Sequence, residues 1–228
     1  MHAMTTPCPD VLTAALHARS GQQGSFAWSR PTWSRWLGPA AGQDLISRVP
    51  DRLDRQGVCT VVQDALTDGR VVDAFVPAMI WGYGNLGVGA FRTASILTAS
   101  PSPQTAQLDD QVVSRLAHSS DLARTGDAVG AYRYLNNDGK IAGLGPSFFT
   151  KWIYFASARG DRAAGAPILD DLVIGWLHAR AGLTLRRAYT DDYELYVRTL
   201  TAWGAPAGMS AVEVEETIFQ IIRGELKT

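Results

Sequence analysis

Residues 134–155 read YLNNDGKIAGLGPSFFTKWIYF, and this stretch decides how the chain folds. A helical pattern stops near Asn137, and Gly143-Leu144-Gly145 then predicts a tight turn. Pro146 favours the start of a new helix. Backbone N–H groups in the first helical turn have no acceptor within the helix, so the N–H that proline lacks is not needed there. The stretch therefore predicts two helices joined by a hairpin turn, together spanning about residues 127–158.

The turn also has features that suit an anionic ligand. Glycines allow a close approach of backbone amides, and the N-terminus of the following helix adds positive partial charge. A phosphate of a nucleic-acid backbone needs both, and we take Gly143, Gly145 and Ser147 as its candidate contacts. An ordinary tight connection between two helices is the structural alternative.

The rest of the sequence predicts an all-α fold. The polar, proline-rich segment 98–105 is the clearest break and a candidate junction between two helical lobes that flank a cleft within one domain, residues 1–228. After it, apolar residues recur at helical spacing. The predicted helices there are 105–122, 127–135, 146–158, 170–178, 191–203 and 210–222, with Asp127 as a helix cap and Ser210 and Glu213 as a capping box.

The first hundred residues give weaker signals. We predict helices at 10–20 and 44–56, a short strand at 59–62, an apolar segment at 71–81 that Pro77 starts or kinks, and a glycine-rich loop at 81–89.

Composition excludes several classes of protein. Hydrophobic residues make up 46% of the 228 and charged residues 19%, which is typical of a globular chain and not of a disordered one. No apolar run approaches the roughly 18 residues of a membrane helix, and no secretory signal is recognisable. Cys8 and Cys59 form neither a disulfide framework nor a metal-ligand pair, the four histidines are not clustered, and no nucleotide-binding loop is present. We therefore expect a reduced, cytoplasmic protein without metal, cofactor or membrane partner.

The net charge of −1 argues against a strongly basic nucleic-acid coat. The charges are uneven, however, since acids gather after residue 211 while residues 127–161 contain Arg133, Lys140, Lys151 and Arg159. A local basic face remains compatible with the composition.

Lysine is scarce, which makes Lys151 conspicuous. Lysines occur at 140, 151 and 227, whereas arginine supplies the other 18 basic residues. Phe148, Tyr154 and Phe155 lie at helical spacing from Lys151, and desolvation by these rings would lower its pKa and make the amine a nucleophile. Alternatively, its stem packs while its ammonium reaches water.

Asp170 ends the apolar segment GAPILD and precedes a predicted helix. Aspartate is a favoured N-cap, and the adjacent Asp171 could do the same work, so Asp170 is a cap, a catalytic carboxylate or both. The candidates for the lining of a pocket of flat aromatic side chains are Trp81, Tyr83 and Phe148. Alternatively, these rings pack in the core.

Two segments, IAGLGPSFFTKWIYFA and APILDDLV, resemble the helix-hairpin-helix DNA glycosylase superfamily. With MIWGYGNLGVGAFRT upstream and YELYVRTLTAW downstream, the chain resembles bacterial proteins with an 8-oxoguanine DNA glycosylase fold. The resemblance covers about two thirds of the chain, from Asp73 to the C-terminus.

The resemblance implies a monomeric DNA glycosylase with AP lyase activity, which flips a modified base, oxidised guanine foremost, out of double-stranded DNA. Lys151 would be the nucleophile and Asp170 its carboxylate partner, 19 positions further along the chain. In many relatives the lysine stands where this chain has Ser147; if Ser147 fills that position, the enzyme is monofunctional and Asp170 activates water. The alternatives are a non-catalytic DNA-binding module, a glycosylase acting on modified foreign DNA, and a protein–protein scaffold. In a bacterium we expect association with the nucleoid.

Overall fold

A computed structural model describes residues 6–18, 24–41 and 43–225. The last two residues of the predicted helix 10–20, together with His2 and Lys227, lie outside these ranges. The described helices are α1 (Asp10–Ala18), α2 (Arg30–Ala41), α3 (Gln43–Ser47), α4 (Arg55–Thr67), α5 (Val71–Tyr83), α6 (Gly89–Leu97), α7 (Asp110–Arg124), α8 (Ala128–Asn136), α9 (Pro146–Ser157), α10 (Asp171–Ala181), α11 (Thr190–Gly204) and α12 (Ala211–Arg223). Two strands of two residues each, β1 (Phe26–Ala27) and β2 (Arg52–Leu53), pair in antiparallel fashion, and two 3-10 turns cover Arg162–Ala164 and Ala205–Ala207.

The all-α prediction is confirmed, and it is most accurate after the 98–105 break, where α7 to α12 overlap the six predicted helices, although α7 begins at Asp110 and not at residue 105. The predicted caps are present as well. Asp127 accepts a hydrogen bond from the Gly130 N–H at 2.7 Å. Ser210 and Glu213 form the reciprocal capping box at the start of α12.

The predictions for 44–56 and 59–62 are wrong. Helix α3 ends at Ser47, before Pro50, and β2 and the N-cap Asp54 precede α4. Proline disfavours helical geometry in the residue before it, which explains the break. Residues 59–62 belong to α4, where Val58 and Val62 lie one turn apart and are both fully buried. The packing of this helical face overrides the local strand propensity of the valines.

The glycine-rich loop predicted at 81–89 is also wrong in its extent. Helix α5 runs through Pro77 and Gly82 and ends only at Tyr83, so the loop is confined to residues 84–88. A side-chain Cβ at Gly82 would lie 2.9 Å from Cδ of Lys151, closer than packed carbon atoms tolerate. Gly82 therefore lies at a close contact between helices and not in a turn, and a side chain there would have to displace the Lys151 stem.

Helices α5 and α9 form the centre of the core. The segments 74–80 and 149–157 are buried throughout, and Phe75 of α5 meets Trp152 of α9 edge to face at 5.6 Å. Helices α4, α7 and α8 also pack on α9. Because α9 follows the hairpin directly, the packing of this helix holds in place both the turn at its N-terminus and Lys151 within it. Within the described ranges, no helix has both the length and the apolar character needed to cross a bilayer.

Candidate active site

The hairpin turn lies between α8 and α9 as predicted. Gly143 has φ of +80°, in the left-handed region that glycine adopts without strain, while Leu144 is buried and anchors the turn to the core. Gly145 is the N-cap of α9, and Pro146 is the first helical residue. Both glycines are exposed to solvent.

Three backbone donors of the turn are free. The N–H groups of Phe148 and Phe149 both donate to the Gly145 carbonyl at 2.9 Å. Within the described part of the chain, the N–H groups of Gly143, Gly145 and Ser147 donate no hydrogen bond. Free donors at a helix N-terminus form an anion-binding site.

A cation lies beside these donors. Nη1 of Arg187 is 3.4 Å from Oγ of Ser147 and pairs with Oδ1 of Asp171 at 2.8 Å. The guanidinium therefore adds a positive charge next to Ser147, and the carboxylate of Asp171 partly neutralises it.

The amine of Lys151 lies close to the start of its own helix. Nζ donates to the backbone carbonyl of Ser147 at 2.7 Å and lies 3.7 Å from Oδ2 of Asp170. Helical side chains point toward the N-terminus of their helix, so a long stem reaches back one turn. As a result, the Lys151 amine occupies the neighbourhood of Ser147, the position at which the resemblance places the lysine of many relatives.

Aromatic rings and a glycine enclose the Lys151 side chain. Nζ is 5.3 Å from the ring centroid of Phe148, which stacks on Tyr83 with centroids 4.1 Å apart. Gly82 packs on the stem, and only 8% of Lys151 is exposed.

The environment favours the neutral amine. Burial lowers the pKa of the Lys151 ammonium, and the nearby positive charge of Arg55 acts in the same direction. The carboxylates of Asp170 and Glu215 oppose this by stabilising the ammonium. Desolvation is the largest of these effects, so Lys151 releases its proton below the ordinary lysine pKa.

Asp170 is both a helix cap and the carboxylate that faces Lys151. Its Oδ1 accepts from the N–H groups of Leu172 and Val173 at 3.1 Å each, and its Oδ2 is the carboxylate oxygen that lies 3.7 Å from Lys151 Nζ. One carboxylate oxygen therefore caps α10 and the other faces the Lys151 amine. Asp170 can be a helix cap and the partner of Lys151 at the same time.

Trp81 and Tyr83 line a cavity of about 510 Å³, together with Ser25, Asn85, Phe219 and Arg223. Both aromatics belong to the last turn of α5 and not to a loop, because the helix continues through Gly82. Nε1 of Trp81 is buried and has no hydrogen-bond partner among the described residues. Phe148 does not line this cavity; it contacts Tyr83 and Lys151 instead. We call Trp81, Tyr83 and Phe148 the aromatic cluster. Two of its three rings line the cavity, and Phe148 is joined to them through its stacking on Tyr83.

A second cavity, also of about 510 Å³, adjoins the hairpin. Arg92, Ser95, Ile96 and Gly143 are among its lining residues. Arg92 is exposed, and its positive charge lowers the pKa of the Tyr83 hydroxyl. Burial has the larger effect and raises that pKa above its ordinary value. Arg92 therefore lies between the turn and the aromatic cluster.

The sequence did not reveal a buried cluster of charge behind Lys151. Nη1 of Arg55 contacts Oε2 of Glu215 at 3.0 Å and Oε1 of Glu216 at 2.9 Å. No local pattern connects residues 160 positions apart. The available signal was helical spacing, since Glu215 lies three residues from both Val212 and Ile218 and therefore shares their buried face. No group of three or more His, Cys, Asp or Glu side chains in the described ranges is arranged to hold a metal ion.

The profile of one protein family, described as "Putative 8-oxoguanine DNA glycosylase OGG-like protein", matches residues 19–219. The match includes the hairpin, Lys151, Asp170 and the aromatic cluster. No curated protein and no solved structure matches the chain.

Proposed function

Because the chain belongs to the OGG-like family of DNA glycosylases, we propose that it is a bifunctional glycosylase and AP lyase, with Lys151 as its nucleophile. The observation that carries the proposal is the buried Lys151 amine, 3.7 Å from a carboxylate and with a lowered pKa. A structural lysine would gain more by extending its ammonium into water. The substrate is a modified base in double-stranded DNA, with oxidised guanine the first candidate.

In the proposed reaction, the neutral amine of Lys151 attacks C1′ of the damaged nucleotide. A bond forms between Nζ and C1′, and the glycosidic bond breaks with its electron pair leaving on the base. The nitrogen then loses a proton, and the C1′–O4′ bond breaks with its electron pair passing to O4′, which takes up a proton, while the nitrogen lone pair forms the C=N bond of a protonated imine. The imine acidifies the C2′ proton, and its removal expels the 3′ phosphate with the electron pair of the C3′–O bond, which is the lyase step.

Asp170 supports this reaction in two ways. Its Oδ2 faces the amine, so the carboxylate can hold the proton that Lys151 releases, and its negative charge stabilises the positive charge that develops on the sugar as the base leaves. Oδ1 remains bonded to the backbone of α10, which fixes the orientation of the carboxylate.

The hairpin and the aromatic cavity provide the binding surfaces in this proposal. The free N–H groups of Gly143, Gly145 and Ser147 bind phosphate without reading sequence. The flipped base enters the cavity beside Trp81 and Tyr83, whose rings supply flat apolar surfaces for contact with the base.

The test is incubation of the protein with a panel of duplexes, each carrying one lesion opposite each of the four bases. Base release is measured separately from strand scission. The proposal expects release and scission at the same rate for at least one lesion. Release without scission would make the enzyme monofunctional, with water as the nucleophile, and binding without release would favour the non-catalytic module.

A further inference from the structure

The proposed nucleophile is not part of the cavity that would receive the base. Trp81 and Tyr83 line that cavity, whereas Lys151 does not, and only 8% of Lys151 is exposed. In the proposed reaction the amine must nevertheless bond to C1′ of a nucleotide whose base lies beside Tyr83. A side chain near Lys151 therefore has to move before the reaction can begin.

The ring of Phe148 contacts both the amine and a wall of the cavity. Its centroid is 5.3 Å from Lys151 Nζ and 4.1 Å from the centroid of the Tyr83 ring, with 27° between the two ring planes. The missing side chain of Gly82 makes room for this arrangement, since a Cβ there would lie 3.5 Å from Cδ1 of Phe148 and 2.9 Å from Cδ of Lys151. A nucleotide that passes from Tyr83 to Lys151 meets the Phe148 ring.

Phe148 can rotate without a change in the fold. It is half-buried and is the third residue of α9. In the interior of a helix the preceding turn restricts the side-chain angle χ1, but no helical turn precedes Phe148. The adjacent Phe149 is buried, and its ring meets Tyr132 edge to face at 4.9 Å. Packing at Phe149 therefore holds α9 in place while the Phe148 ring moves.

We propose that Phe148 is a gate: it covers the Lys151 amine in the free protein, and the flipped base displaces it and takes its place on the Tyr83 ring. A base and a phenyl ring both present flat faces, so the same tyrosine can stack on either. Phe148 directly follows Ser147, so a strand bound at the hairpin lies beside the gate. The inference rests on the proposed function for the identity of the ligand, while the cover over the amine is a property of the free protein.

Chemical modification of the free protein tests the cover. Lysines occur at 140, 151 and 227, so peptide mapping by mass spectrometry after reductive methylation with formaldehyde and a borane reductant follows each amine separately. The exposed Lys140 is the internal reference. The rate at Lys151 relative to Lys140 is compared between the wild-type protein and Phe148→Ala.

Phe148→Ala should raise the relative rate at Lys151 by roughly two- to tenfold, the factor that corresponds to one aromatic stack. Removal of the ring also lets water reach the ammonium, which favours the unreactive protonated form, so a faster reaction reports access to the amine. The matched control is Phe91→Ala, because Phe91 is also half-buried and meets a single ring, that of Trp36. The control should leave the relative rate at Lys151 unchanged.

Binding and excision give the sign of the effect on the reaction. Phe148→Ala should bind a lesion-containing duplex roughly two- to tenfold more tightly, because the base no longer has to displace a stacked ring. At protein concentrations below Kd, the single-turnover excision rate should rise by the same factor. A phenylalanine that formed part of the base pocket would have the opposite effect, since its truncation would weaken binding and slow excision.

Unchanged modification of Lys151 in folded Phe148→Ala, or slower excision by that variant, would overturn the proposal. If Phe148→Ala fails to fold in a thermal melt, Phe148→Leu decides by the same measurements, because leucine keeps much of the apolar volume but cannot stack as a flat ring. Faster modification in the variant without excision by the wild-type protein refutes only the proposed glycosylase. Excision by the wild-type protein with unchanged modification in the variant refutes only the gate.

Discussion

Replacing Gly145 with aspartate should weaken DNA binding without lowering the stability of the protein. Gly145 is the N-cap of α9, with φ of −86° and ψ of 171°, and a Cβ there meets nothing within 4 Å. Aspartate prefers this position, because its carboxylate accepts from the free N–H of the first turn and opposes the positive end of the helix. We expect the free energy of unfolding to rise by a few tenths of a kcal/mol.

The same carboxylate would compete with a phosphate for the hairpin donors. Two unit charges about 5 Å apart repel by roughly 1 kcal/mol in water and about 3 kcal/mol at an effective dielectric constant of about 20. Loss of one charge-assisted hydrogen bond costs about 1.5–3 kcal/mol, and the two effects overlap. We therefore expect Gly145→Asp to lose about 2–3 kcal/mol of binding free energy, or roughly 30- to 150-fold in affinity.

Fluorescence anisotropy with labelled duplexes measures this loss, and thermal unfolding of the same samples measures stability. The matched control is Gly145→Asn, which has nearly the same shape and caps the helix but carries no charge, so its loss should be smaller. Both damaged and undamaged duplexes should be affected alike, and the slope of log K against log salt should decrease by about one. Unchanged affinity of a folded Gly145→Asp protein would refute the role of the hairpin.

Three further predictions concern the neighbourhood of Lys151. Asp170→Asn should leave the melting temperature nearly unchanged, since asparagine also caps helices. It should nevertheless lower the single-turnover excision rate by at least ~100-fold, and a rate close to wild type would contradict the role of Asp170. Gly82→Ala should displace the Lys151 stem and reduce excision, whereas Gly87→Ala, whose Cβ meets nothing within 4 Å, should not; equal activity of the two variants would count against the packing argument. Because attack requires the neutral amine and burial lowers the Lys151 pKa, the excision rate should rise with pH, with the midpoint of the rise below pH 10.5. A midpoint at or above that value would show an unperturbed lysine.

Local patterns in the sequence were sufficient to predict the hairpin turn and the helix cap at Asp170. Glycines at 143 and 145, a proline at 146 and an aspartate before an apolar helix act within a few residues of one another, so the sequence alone specifies the turn and the cap. Lys151 stood out because lysine is rare in this chain, although its contacts with Ser147 and Asp170 required the structure.

Tertiary packing decided the features that the sequence did not predict. Gly82 is indistinguishable from a turn glycine until its contact with Lys151 is known, and so α5 was predicted to end too early. Pro77 suggested a kink or a start, yet α5 continues through it, within the segment 74–80 that is buried throughout. Arg55 and Glu215 meet across the core although they are far apart in the chain. Helical spacing places Glu215 on a buried face of α12, but it does not identify Arg55 as the partner.

Trapping with borohydride tests the central claim most directly. Reduction of an imine between Lys151 and the sugar leaves a stable amine, which appears on a denaturing gel as a covalent protein–DNA adduct. We expect the wild-type protein to form this adduct with a duplex carrying its lesion, and Lys151→Gln, which retains most of the stem packing, to bind the same duplex without forming it. Adduct formation at an undiminished level in Lys151→Gln, or excision by the wild-type protein with no adduct at any pH, would contradict the assignment of Lys151 as the nucleophile.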